Sequence, residues 1–92
     1  MEQIMTLIAI VANLGAFDKN ATIYAAEPWT PDSPAFVDPE PASTLLPKHG
    51  MSYFFEVFEA RDFLHDWLEG EDKPPTWREQ CERLIIYAVD DA

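Results

Sequence analysis

The spacing of apolar residues changes several times along this chain, and each change marks an element. Ile4, Leu7, Ile8, Val11 and Leu14 recur at helical spacing, with Glu2, Thr6 and Asn13 opposite. The pattern predicts an N-terminal helix laid on a sheet and closed by Gly15. Asp18, Lys19 and Asn20 then form a turn signal ahead of a short apolar run, Ala21 to Ala26, which reads as a first strand. Six of the eight prolines fall between Glu27 and Pro47. That density excludes a helix over most of the segment and an interior strand at each proline. Ala35, Phe36 and Val37 remain as a short strand, expected at a sheet edge or in a hairpin with the first. Ser43 to Leu46 suits a turn or a short helical piece.

The densest apolar material lies between Met51 and Glu69. Its first half, Met51 to Val57, is aromatic and β-branched, as a largely buried strand is. Its second half shifts to helical period. At about 100° per residue, Ala60, Phe63, Leu64, Trp67 and Leu68 fall on one side, and Glu59, Asp62, Asp66 and Glu69 share another. Gly70 suits a left-handed helix-closing position. After the polar connector Glu71 to Pro75, Thr76 opens a last helix and Glu79 completes a capping box. Trp77, Cys81, Leu84, Ile85 and Ala88 form its expected buried face, with Arg78, Glu79, Glu82 and Arg83 outside. Asp90 and Asp91 stand where the helix dipole disfavours anions, by about 0.3–1 kcal/mol each, and are read as solvated.

The expected architecture is therefore α+β, one compact domain over residues 1–92. A small, mainly antiparallel sheet of about three strands, near residues 21–26, 35–37 and 51–57, carries an N-terminal helix and two C-terminal helices on one face. Trp29, in the proline-rich segment, is expected to cap the core or to mark a contact surface.

Charge narrows the choice of partner. Seventeen Asp and Glu against six Lys and Arg give a formal net charge of −11 at pH 7. Such a field repels nucleic acid and anionic membranes, so neither is an expected partner, and it favours a basic one. Solubility alone is the competing explanation of the charge. The single cysteine, Cys81, allows no internal disulfide and fits a reducing compartment, so a cytoplasmic location is expected. The N-terminal apolar run follows Glu2 instead of Lys or Arg and lacks a small-residue cleavage site, unlike a secretory signal. It is also shorter than the roughly 20 apolar residues a membrane span needs.

Little in the sequence points to catalysis. The three glycines form no phosphate-binding loop, and no paired Cys or His spacing suits zinc. The His65-Asp66 doublet invites comparison with metal-dependent phosphohydrolases, but the further ligands such sites require do not accompany it. Ser33, Ser43 and Ser52 have no neighbouring histidine signature. No catalytic residue, metal or cofactor is expected, and the chain is read as a non-enzyme. The acidic stripe Glu59, Asp62, Asp66 and Glu69, extended by Glu71 and Asp72 with only Arg61 and Lys73 nearby, is the candidate partner-binding face, with Trp29 as its anchor.

The run ATIYAAEPWTPDSPAFVDPEP, the strand and helix that follow it, and a closing helix ending YAVDDA resemble a group of small, uncharacterised acidic bacterial domains. The resemblance covers residues 21–92 and rests on Trp29, Asp32, Asp38, Tyr87 and the Asp91-Ala92 pair. Some small acidic proteins of this type are immunity proteins that neutralise toxins. The resemblance implies no reaction; the leading expectation is an immunity- or inhibitor-type protein that blocks a basic toxin or nuclease with its acidic helix face by occlusion, its carboxylates standing where phosphates would bind. The second expectation is a structural or assembly subunit that forms a homodimer through the N-terminal helix or Trp29.

Overall fold

The computed structural model describes residues 3–40 and 46–90. Its elements are strand β1 (Met5–Thr6), helix α1 (Leu7–Ala12), a 3-10 turn (Leu14–Ala16), strands β2 (Thr22–Ala25), β3 (Pro34–Asp38) and β4 (Ser52–Glu56), and helices α2 (Val57–Glu69) and α3 (Trp77–Asp90). The α+β class holds, with four strands in place of the expected three. The sheet is antiparallel throughout, in the order β1-β3-β2-β4.

The extra strand comes from the expected N-terminal helix. Met5 and Thr6 pair with Ala35 and Pro34, leaving Ile4 at 54% exposure outside the apolar stripe assigned to it. Thr6 stops the helix from extending backwards: its hydroxyl accepts from Ala9 N at 3.3 Å as the N-cap. The two preceding helical amides are met from the proline-rich loop, Leu7 N by Ser33 O at 2.9 Å and Ile8 N by Pro31 O at 2.8 Å. β1 therefore takes the edge, and β3 lies inside the sheet. Pro34 is tolerated there because it is the first residue of its strand, where a missing N–H costs least.

β2 is buried along its whole length and pairs on both sides. Ile23 and Ala25 point to the main core; Tyr24 points to a smaller cluster on the other face with Phe36 and Met51. Between β2 and β4 the register shifts: Ile23 opposes Phe55 and Tyr24 opposes Tyr53, leaving Phe54 as an extra, bulged residue. The bulge breaks the usual alternation, so Phe54 and Phe55 both join the helix-side core. There they meet Leu7, Ile10 and Val11 of α1, Val57, Ala60 and Leu64 of α2, and Cys81, Leu84 and Ala88 of α3.

The second sheet face is closed by a tight turn. Lys48 and Met51 exchange both backbone hydrogen bonds at 2.9 Å, with His49 (φ 52°) and Gly50 (φ 76°) between them. Positive φ at both central residues is the twist-compatible hairpin geometry, and glycine meets it without a Cβ clash. The His49 ring lies 5.2 Å from Phe36, and Tyr24 stacks on Phe36 at 5.1 Å.

Both C-terminal helices start where the residues allow caps. For α3, Glu79 N donates to Thr76 Oγ1 at 3.1 Å and Thr76 N to Glu79 Oε1 at 3.2 Å, the reciprocal box expected of this pair. Gly70 follows α2 with φ −88°, so the helix closes without the left-handed residue expected there. Gly70 N donates to Trp67 O at 3.1 Å and Glu71 N to Leu68 O at 3.2 Å, tightening the last turn. Trp77 is also displaced from its expected place: it is 53% exposed at the first position of α3, while Gln80 takes a buried site and donates from Nε2 to Pro75 O at 3.2 Å. Asp90 ends α3, and the expectations for residues 41–45 and for Asp91 lie outside the described residues.

Leu84→Ala and Trp77→Ala separate these environments. Leu84 is fully buried, so its truncation is expected to lower the unfolding free energy by about 2–5 kcal/mol in urea denaturation. Trp77→Ala is expected to change it by about 0.5 kcal/mol or less, and a loss as large as that of Leu84→Ala would contradict the exposure of Trp77.

Candidate functional site

The rotation of α2 about its axis is set at its start. Val57 N donates to Ala21 O at 2.9 Å and Phe58 N to Lys19 O at 3.1 Å, so the chain just ahead of β2 holds the first two helical amides. With Val57, Ala60 and Leu64 turned inward, Glu59, Asp62, Asp66 and Glu69 all face solvent. The four carboxylates do not behave alike. Glu59 is the third residue of the helix and accepts from Glu56 N at 3.4 Å and from Tyr53 Oη at 3.2 Å. Glu69 lies 3.2 Å from His65 Nε2, an ion pair only when the imidazole is protonated. Asp62 and Asp66, one turn apart, make no side-chain ion pair or hydrogen bond among the described residues.

Phe58 belongs to the same row. It precedes Asp62 by one turn and is 42% exposed. Beside it the Phe63 ring stacks on Tyr87 of α3, with centroids 4.4 Å apart. Phe58, Glu59, Asp62, Phe63, Asp66 and Tyr87 line an open groove of about 280 Å³ along α2 and α3. Three aromatic rings and three carboxylates thus meet in one concavity. Glu69 is not among its lining residues.

A second, larger hollow of about 550 Å³ lies where α2 leads into α3, lined by Trp67, Glu71, Asp72, Lys73, the two prolines Pro74 and Pro75, and Glu79. This one contains its own cation, Lys73, and the Arg83 guanidinium lies 5.8 Å from the Trp67 ring.

Trp29 is not part of the acidic face. It is half-buried against the main core; its Nε1 donates to Ala25 O at 3.1 Å, and its ring meets Phe54 edge-on at 4.9 Å. Phe54 meets Phe55 at 4.9 Å, and Phe55 stacks on Tyr87 at 5.8 Å. Trp29 therefore stands at the far end of a five-ring chain, Trp29-Phe54-Phe55-Tyr87-Phe63, whose other end lines the groove. Its place is in packing, and the aromatic residues that adjoin the acidic stripe are Phe58, Phe63 and Tyr87.

The signal for Phe58 was present at helical spacing: Phe58, Asp62 and Asp66 form one i, i+4, i+8 row once the helix begins at Val57. Placing the helix start two or three residues later hides it. Tyr87 had no such signal, because its partner ring is on another helix.

Titration follows from these environments. Burial, with Glu59 and Glu56 nearby, raises the pKa of the Tyr53 hydroxyl and keeps it a donor. Burial, reinforced by Glu82, pushes the Cys81 thiol up to about 12 despite Arg78, so it is not a nucleophile at neutral pH. Among the described residues no cluster of three or more His, Cys, Asp or Glu side chains is placed to hold a metal ion. Among them, too, no helix is long and apolar enough to cross a membrane.

Compared with known proteins, the chain matches no family model, no curated sequence and no solved structure.

Away from the groove, the buried carboxylate of Asp38 accepts from the Lys48 ammonium and, at 3.0 Å, from Glu40 N, which together hold its pKa below the usual value. A depressed native pKa makes this contribution to stability complete above the unfolded value of about 3.9 and lost as pH falls through the native one. Asp38→Asn is expected to cost about 1–3 kcal/mol at pH 7 and to make the stability decline less steeply between about pH 5 and pH 2, as measured by urea unfolding at several pH values.

Proposed function

We propose that this protein is a non-catalytic, cytoplasmic binding domain that engages a basic protein through the α2 face, in the manner of an immunity or inhibitor protein acting on a toxin or nuclease. The observation that carries this reading is the juxtaposition of Asp62 and Asp66, unpaired among the described residues, with exposed aromatic surface in a single groove. Phe58 continues the row of Asp62 and Asp66 and adjoins Phe63 and Tyr87, so apolar and acidic surface are contiguous there. The net charge of −11 adds long-range attraction for a cationic surface and speeds encounter. The resemblance to small acidic bacterial domains points the same way. Binding would act by occlusion, covering cationic residues that the partner uses for its own substrate.

A second reading is self-association. It draws support from Ile86 and Val89, 52% and 59% exposed and three residues apart on α3. The surfaces first expected to serve it, α1 and Trp29, are largely taken up by the core.

One experiment separates the two. Affinity capture from native lysate, identification of the captured protein and titration of that purified protein against wild type and Asp62→Lys/Asp66→Lys are expected to show a salt-sensitive complex. Its affinity should fall by at least about tenfold in the double variant. Recovery of the same set by both proteins, or concentration-dependent dimerisation in sedimentation without a heterologous partner, would favour self-association.

A further inference from the structure

We infer that the α2-α3 groove is a receptor for a single arginine side chain presented by the partner, a deepening of the binding function proposed above and resting on it. The groove, at about 280 Å³, is smaller than a typical small-molecule site and is open along one side. It suits one projecting side chain. Its lining combines two features that a guanidinium uses together: aromatic surface at Phe58, Phe63 and Tyr87, and paired acceptors at Asp62 and Asp66. A planar, weakly hydrated guanidinium stacks on an aromatic ring while donating in its own plane to carboxylates. A lysine ammonium has the charge but neither the plane nor the fork.

Tyr87 already stacks on Phe63 at 4.4 Å and on Phe55 at 5.8 Å, so its faces are engaged and the groove rings do not close into a cage. A quaternary ammonium calls for a cage of rings around it, whereas a guanidinium can use one ring together with carboxylate acceptors. The chain makes the same kind of contact within itself, Arg83 over Trp67 at 5.8 Å. Of its own arginines, none lines the groove. A second copy of this chain is a poor occupant, because it brings a charge of −11 against an acidic face.

The test uses the intact protein and three pentapeptides identical except at the centre, which carries Arg, Lys or trimethyl-Lys, capped at both ends and flanked by glycine. Backbone amide shifts are followed by NMR during titration at low salt. The arginine peptide is expected to bind at least about threefold more tightly than either other peptide, with the largest shifts at Phe58, Asp62, Phe63, Asp66 and Tyr87. Phe58→Ser, at an exposed position, should abolish the advantage of arginine over lysine and leave residual charge-driven binding. Asp62→Asn/Asp66→Asn should remove binding of both, with far-UV circular dichroism confirming that each variant is folded. Equal affinity for Arg and Lys, preference for trimethyl-Lys, shifts centred away from the groove, or no binding at millimolar peptide would each overturn the arginine assignment. The partner-binding reading fails separately, when the captured protein binds the Asp62→Lys/Asp66→Lys variant as well as wild type.

Discussion

Burial of β2 is the constraint on which the rest of the structure depends. The four residues Thr22–Ala25 are excluded from solvent on both faces and both edges, so their backbone groups have no recourse to water and must be met by β3 and β4. Ladder pairing satisfies them, and the flanking residues extend the same frame. Ala21 O and Lys19 O receive the first amides of α2, while Thr22 Oγ1 donates to Glu40 O at 3.1 Å. A helix anchored at its first two amides has little freedom to turn about its axis. The position of Asp62 and Asp66 in solvent, five residues and more along α2, is thus decided at the two carbonyls just ahead of β2.

The bulge in β4 is the second organising feature. In a regular strand Phe54 and Phe55 would point to opposite faces, and one of them would be lost to the helix-side core. With Phe54 inserted as the extra residue, both rings face the helices and connect Trp29 to Tyr87 through ring contacts no longer than 5.8 Å. Aromatic contacts of this kind contribute about 0.5–1.5 kcal/mol each beyond their buried area. The groove is lined at one end of a rigid aromatic series, and the rings exposed there are held from behind.

Much of this fold is legible along the chain, for reasons specific to certain residues. Thr76 and Glu79 declare the start of α3 because a capping box is satisfied within one turn, and Leu84 and Cys81 declare its buried side by period alone. What escapes a one-dimensional reading is decided between distant segments. Met5 and Thr6 look helical until Ala35 and Pro34 pair with them, and Trp77 looks buried until Gln80 turns inward to meet Pro75 O. The candidate site divides the same way. Its carboxylates are visible as a stripe, whereas its aromatic half is assembled from α2 and α3, and Trp29 is drawn inward by Ala25 O and Phe54.

The sheet ends in two unequal edges, β1 with two residues and β4 with five. A five-residue open edge is a template for strand addition, and no proline or lysine within β4 blunts it. Pairing of two copies along β4 is opposed at neutral pH by the mutual repulsion of chains carrying a formal −11 each. That protection is colloidal, and it disappears near the isoelectric point of about 4.2. The carboxylates of this protein therefore bear on two length scales, as the local acidic lining of the α2-α3 groove and as a long-range repulsion between copies of the chain.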